Sequence, residues 1–239
     1  TGCMSQKRRR KINKTKIAWC DMTWNPIVGC ENNCEYCYAR KIANRFYGNF
    51  EPKFYEERLA QPSKVKKPKN IFVCSMADML GDWVPKCWIE RILESCFTAQ
   101  QHRYLFLTKN PKRYREVGKI ITTMSYTYIR IPEMWFGATA TNNEQLKTAS
   151  KSMIDWISIE PLHERLDIVP AFDENRLLWV VIGAETGNRK DKIIPKKEWV
   201  QEIVDVCRKN GTPVFMKESL REMMGDEFVQ EFPWSENHD

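Results

Sequence analysis

Three cysteines stand close enough along the chain to share one centre. Cys30, Cys34 and Cys37 are spaced Cys-x3-Cys-x2-Cys within GCENNCEYCYAR. Thiolates at that spacing can wrap a metal. A structural zinc site calls for a fourth ligand and usually pairs two ligand sets, and a ferredoxin cluster calls for a fourth Cys. The chain offers neither: there is no second CxxC and no HxxxH, and His102, His163 and His238 are scattered. Three thiolates leave one iron of a four-iron cluster without a protein ligand, and a bidentate amino-carboxylate can occupy it.

A second set of chemistry-bearing residues recurs at intervals. Apolar runs of strand length each end in a polar cluster: SMAD at 75–78, TKNP at 108–111, ATAT at 138–141, SIEP at 158–161, GAETG at 183–187 and FMKE at 215–218. One such cluster is ordinary turn chemistry. Six in phase predict a polar site ringed by strand ends.

The elements that must position these residues read as strands alternating with helices. Residues 16–19 form a short strand candidate ahead of the cysteine loop, and 39–46 read as the first helix. Residues 53–69, punctuated by Pro and Lys, read as an irregular connection. Strands are expected at 70–75, 104–107, 134–138, 156–159, 177–182 and 213–216. Helices are expected at 86–101, where Trp88, Ile89, Ile92, Leu93, Cys96 and Phe97 stand at helical spacing, from Pro111 onward, near 143–150 and at 198–209. Six or seven strands with crossover helices predict a parallel α/β sheet curled into a partial (β/α)6-type barrel. No internal repeat or interdomain linker interrupts it.

Composition agrees with a single sizeable core: 239 residues, 42% hydrophobic and 29% charged. That excludes a disordered chain, a collagen-like chain and a disulfide-stapled miniprotein. No stretch of about 18 apolar residues predicts a membrane span. With no apolar leader, a reducing, cytoplasmic setting is expected for the nine cysteines. Thr1, Gly2 and Cys3 precede Met4 and read as an addition ahead of the natural start. The net charge of +7 is uneven. Residues 1–16 form a basic arm carrying +7, the body 17–217 carries +6, and the segment 218–239 carries −6. A KRRRK arm is commonly a solvated tail; its sharper reading is a nucleic-acid contact.

The CxxxCxxC motif with an aromatic, Tyr36, just before its last Cys resembles the radical S-adenosylmethionine (radical SAM) enzymes. WNPIVGC, SMADML, LTKNP, SIEPL and IGAETG together resemble a compact, phage-type subgroup of that superfamily, over residues 17–217. The subgroup includes queuine lyase, which releases the queuine base from queuosine 5′-monophosphate; spore photoproduct lyase is similar at a greater distance.

The resemblance implies a 4Fe-4S cluster on Cys30, Cys34 and Cys37, with S-adenosylmethionine on the open iron and an external one-electron reductant. It places Tyr36 near the adenine and Ser75 and Asp78 at the methionine amino group, although the usual GGE motif is absent. It puts Thr139 and Thr141 at the ribose, and gives Ile159 and Gly183 backbone contacts to adenine. Lys109 and Lys217 are candidates for a carboxylate or phosphate, and Arg189 for a phosphate. Glu160, Glu185 and Lys217 are the candidate catalytic groups, the two acids suited to an amine or hydroxyls on the substrate. Asp21 and Asn25 are candidate substrate or loop-ordering groups.

Plainer readings stand beside these. Asn25 can cap the turn before Pro26. Lys109 can be a surface lysine before a helix, Glu160 a pre-proline turn residue, and Lys217 a partner of Glu218 or Glu185. Cys74 and Cys20 read either as thiols facing the barrel lumen, able to donate a hydrogen atom, or as buried structural thiols. Cys96 and Cys207 read as core.

Three functions follow. The first is a radical SAM lyase on queuosine 5′-monophosphate. The second is a radical SAM enzyme repairing or modifying DNA or RNA, supported by the basic arm and the lysines at 64–69. The third is a non-enzymatic iron–sulfur or zinc module.

Overall fold

The structure is a computed structural model that describes residues 13–234. Most of the basic arm lies outside the described residues. So do Cys3 and the extreme C-terminus with His238.

The chain opens with β1 (Asn13–Lys14), β2 (Met22–Trp24), β3 (Ile27–Val28), α1 (Tyr38–Tyr47), β4 (Lys53–Phe54) and β5 (Asn70–Val73). It continues through α2 (Lys86–Thr98), β6 (Arg103–Thr108), α3 (Tyr114–Ser125), β7 (Glu133–Thr139), α4 (Asn143–Ser150) and β8 (Trp156–Ile159). It closes with α5 (Val169–Glu174), β9 (Trp179–Ile182), α6 (Lys197–Lys209), β10 (Val214–Met216) and α7 (Arg221–Met224). No helix of the described residues is long and apolar enough to cross a membrane.

The main sheet runs β1-β2-β5-β6-β7-β8-β9-β10. Seven of its strands are parallel, and β1 adds antiparallel to the outer edge of β2. This is the curled α/β partial barrel that the alternation of strands and helices predicts. The opposite edge is covered as well. The segment after α7 bridges antiparallel onto β10 at Phe215 and Gln230, and Met216 N and Glu231 N donate to Val229 O and Val214 O at 2.9 Å each. Each edge of the parallel sheet thus carries a short antiparallel segment, which keeps the exposed edges short. The acidic segment is thus part of the fold from Glu218 to Trp234.

One expectation fails. Residues 16–19 are not a strand; the strand beside β5 is β2, at Met22–Trp24. Trp19 instead turns into the lumen, where its ring packs against Phe72, Trp156 and Trp179.

Alternation along the strands builds two cores. One set of side chains packs under the helices and includes Ile71, Val73, Tyr104, Ile157, Ile159, Val180, Ile182, Val214 and Met216. The other fills the lumen with Trp19, Phe72, Leu105, Trp156, Trp179, Val181 and Phe215, joined by Trp135, Phe232 and Trp234. Gly137 on β7 makes room for this plug: a Cβ there would lie 2.3 Å from Trp156 Cε2.

Candidate active site

The cysteine loop follows β2 at the C-terminal end of the parallel strands. Asn25 anchors its start, because its Oδ1 accepts from Ser75 Oγ at 3.1 Å and Met76 N at 2.9 Å. Gly29 lets the loop turn. Its φ is +106°, and a Cβ there would meet Glu51 O at 2.1 Å, so no other residue fits without moving backbone. Gly29 N donates to Met76 O, and Cys30 N to Phe50 O. Cys37 ends the loop as the N-cap of α1, its Sγ accepting from Arg40 N at 3.3 Å. Arg40 Nη2 reaches back to Cys30 O at 3.2 Å.

Asp78 ties the loop to the neighbouring strands. Its Oδ1 accepts from Thr108 Oγ1 at 2.6 Å and Leu80 N at 3.1 Å. Its Oδ2 accepts from Lys109 N and from Asn32 Nδ2, both at 2.9 Å. Asn32 lies between Cys30 and Cys34, so this 6% exposed carboxylate holds the loop to the ends of β5 and β6. Lys109 then points Nζ at Tyr36 Oη, 2.7 Å away, and the Tyr36 ring meets His163 edge-on at 5.3 Å. Burial pulls the Lys109 ammonium below its ordinary pKa, opposed by the charges of Cys34, Asp78, Cys30 and Cys37. Burial, and next the Cys34 thiolate, pushes the Tyr36 phenol up.

The donor set suits an iron–sulfur cluster. No group of three or more His, Cys, Asp or Glu among the described residues is arranged around one metal ion. A four-iron cluster has a different requirement, since each thiolate binds a different iron around a common volume. Cys30, Cys34 and Cys37, all half-buried, share the Lys109 ammonium as an electrostatic neighbour. Arg40 adds a buried Nε with no hydrogen-bond partner, beside the N-terminus of α1, and both favour an anionic occupant. Burial first, and the charges of Asp78 and Cys34 after it, push the Cys30 thiol up to about 11; a metal's charge reverses that preference.

Two further ion pairs stand at strand ends. Lys217, after β10, pairs with Glu160, after β8. Gly183, after β9, lies between them: a Cβ there would be 3.0 Å from Lys217 Cδ and 3.3 Å from Glu160 Cγ. Tyr38, at the start of α1, donates Oη to Ser75 O at 2.8 Å. The second pair is bidentate. Arg189 Nε and Nη2 donate to Glu185 Oε1 and Oε2 at 2.7 and 2.8 Å, while Nη1 donates to Glu35 of the cysteine loop at 3.0 Å. His163 Nε2 is 3.5 Å from Glu185.

The remaining expected residues are spread unevenly. Thr139 ends β7 half-buried. Thr141 gives both N and Oγ1 to Gln145 Oε1. Ile159 O accepts from Gly183 N, and Gly183 O from Leu162 N. Asp21 stands apart: its Oδ2 accepts from Asn70 N at the start of β5, the opposite end of the barrel. Cys74 packs in the outer core, not the lumen. Its φ of +58° breaks the alternation that would have turned it inward, and burial pushes its thiol up to about 12. Cys20 is the thiol on the lumen side, also pushed up to about 12 by burial. Asn32, Glu35, Tyr38 and His163 carry no expected site role from the sequence, and Thr108 only as part of the TKNP strand-end cluster. For the first two, position inside the cysteine motif was the available signal.

Comparison with known proteins places this arrangement. A family model described as "Protein of unknown function (DUF5131)" matches residues 14–227. No curated protein sequence matches the chain. Among solved structures, spore photoproduct lyase complexed with dinucleoside spore photoproduct aligns at 13% identity and a TM-score of 0.58, over 88% of this chain and 81% of that one. A mutant of the lyase with bound AdoMet and dinucleoside spore photoproduct aligns at 11% identity and a TM-score of 0.55, over 95% and 80%. The shared feature is the fold, the partial barrel of spore photoproduct lyase.

Proposed function

The chain belongs to the DUF5131 family, and from that premise we propose that it is a radical SAM enzyme acting on a nucleotide. One observation carries the reading: three loop thiols share the Lys109 ammonium at the mouth of a radical SAM-type barrel. Cys30, Cys34 and Cys37 would hold the 4Fe-4S cluster, with S-adenosylmethionine beside it. When bound, the pair supplies a one-electron cleavage that yields a hydrogen-abstracting 5′-deoxyadenosyl radical, the reductant being external.

The protein's own residues bind, orient and exclude water. Lys109 offers its ammonium to a carboxylate, and Tyr36 packs the adenine side. Ser75 and Asp78 receive the methionine amino group, with Asp78 acting chiefly through the loop it anchors. Thr139 and Thr141 face the ribose, and the backbone around Ile159 and Gly183 edges the adenine. Substrate phosphate takes Lys217 or Arg189 from its acid, because both cations are already placed and paired at the mouth. Glu160 or Glu185, so released, meets amine or hydroxyl groups on the same substrate. The aromatic lumen below keeps the cavity floor dry, which a radical step needs.

The finer reading is release of queuine from queuosine 5′-monophosphate, the bond broken being the one that joins the base to the ribose. A second reading, a lesion or modified base in DNA or RNA, needs only the phosphate contacts of Lys217 and Arg189 and calls for no amine at Glu160 or Glu185. The solved neighbours that hold dinucleoside spore photoproduct point the same way. Anaerobic reconstitution with iron, sulfide and reductant tests the class: S-adenosylmethionine should yield 5′-deoxyadenosine. With queuosine 5′-monophosphate present, free queuine should appear alongside it. Deoxyadenosine without queuine would sink the first substrate and leave the second. The absence of both would sink the class.

A further inference from the structure

A depression of about 650 Å³ lies outside the barrel, between the start of α3 and the end of α4. Lys112, Arg115, Lys147 and Lys151 line it, against the one carboxylate of Glu174. All four cations are exposed. None carries an ion pair among the described residues, whereas Arg91, Arg103, Arg113, Arg165, Arg208 and Arg221 each hold a carboxylate. Lys112 lies in the turn just before α3 and Arg115 in its first turn, while Lys147 lies in the last turn of α4 and Lys151 just past its end, so each side of the groove carries two cations. Four like charges left unpaired in one groove repel each other and raise the free energy of the empty state.

We propose that this groove is a docking surface for the phosphate backbone of a nucleic acid strand. The form of the site selects a polymer over a small anion. Its cations sit on flexible, solvated stems with no buried donor behind them, and one phosphate gains little from exposed charges. A polyanion gains with every phosphate neutralised, because each such pairing releases condensed counterions. The position fits a strand that also reaches the barrel mouth. Lys112 follows Lys109 by three residues, which bounds their Cα separation at about 11 Å. The proposal stands apart from the radical chemistry, since binding is measured without cluster, S-adenosylmethionine or turnover.

The test uses the full chain and fluorescence anisotropy of a short labelled single-stranded oligonucleotide across a salt series. The variant K112E/R115E/K147E/K151E should bind about tenfold or more weakly at low salt. Its log–log salt dependence should be shallower by about 3, because each phosphate no longer neutralised removes about 0.7 from the slope. Each two-residue variant should give about half that change in slope. Reversal of the exposed Lys196 and Lys209, K196E/K209E, changes net charge elsewhere and should leave the slope near wild type. A wild-type slope in the four-residue variant, with its circular dichroism intact, overturns the proposal. So does an equal loss in K196E/K209E, which would make the effect one of net charge alone. Displacement by inorganic phosphate beyond that of chloride at matched ionic strength would identify a small-anion site and overturn it. So would groove-dependent binding to phosphatidylserine vesicles with oligonucleotide binding unchanged.

Discussion

The two ends of the barrel lumen are built on the same strands and differ in every physical respect. At the N-terminal end Trp19, Trp156, Trp179 and Phe215 pack ring against ring, closed off by Phe232 and Trp234 from the C-terminal segment. At the C-terminal end the same inward-facing rows turn polar. β8 runs from Trp156 through Ser158 to Glu160, β9 from Trp179 through Val181 to Gly183, and β10 from Phe215 to Lys217. Two-residue steps on a parallel sheet therefore carry each row from a dry floor to a charged rim. The floor gets its rigidity from close-packed area. The rim gets its order from saturated polar partners, such as the four donors on Asp78. Stability and chemistry are thus held by different physics a few ångströms apart, and mutations should separate them.

The largest expected effect is at the floor. Trp156→Ala removes a fully buried ring and should cost about 3–5 kcal/mol, read as a fall in denaturation midpoint. Iron uptake per folded chain should stay at the wild-type level. A variant that unfolds no earlier, or that loses iron while folded, would break the separation. Asp78→Ala should do the reverse. It strands Thr108 Oγ1, Leu80 N, Lys109 N and the Asn32 amide, at about 2–4 kcal/mol. Its distinguishing mark is poor iron retention, because the cysteine loop loses its tie to β5 and β6. Asp78→Asn keeps two acceptor contacts at most and should fall between. Gly137→Ala is milder: its Cβ would press on the Trp156 ring, costing about 1–3 kcal/mol by overpacking, again with no effect on iron.

How far the sequence discloses this division differs between the two ends. The periodicity of strands and helices is legible because burial on both faces of a parallel strand leaves continuous apolar runs, as at Trp179–Ile182. The cysteine motif is legible because its ligands are local in sequence. Inward and outward faces are harder to read. Cys74 looks lumen-facing by alternation, yet its left-handed φ ends the strand's alternation and turns it to the outer core. The 16–19 run has strand-like residues, and Trp19 is claimed by tertiary packing instead. The pairings at the rim are the least legible. Glu160 meets Lys217 across 57 residues, and Arg189 meets Glu35 across 154. Such contacts depend on barrel closure, which no local pattern encodes. Asp21 is the converse case: it flanks the cysteine loop in sequence but caps the start of β5 at the far end.

The smallest effect separates floor from rim by pH. Glu185 has a 2% exposed side chain gripped by Arg189, and this hydrogen bond, outweighing burial, holds its carboxyl below the ordinary 4.5. A carboxylate depressed in the folded state contributes stability that is fully present above its unfolded pKa and fades as pH falls through the folded value. Glu185→Gln should therefore flatten the acid limb of stability against pH, below about 4.5. At neutral pH it should cost little more than the loss of one charged hydrogen-bond pair, since Arg189 keeps Glu35. Trp156→Ala, by contrast, should lower the whole curve without changing its shape, because no titrating group is lost. Denaturant midpoints of the two variants from neutral to acid pH give the measurement. An acid limb unchanged in Glu185→Gln would show that the Arg189 grip contributes nothing to the folded state, leaving the rim ordered by its other contacts, Asp78 foremost.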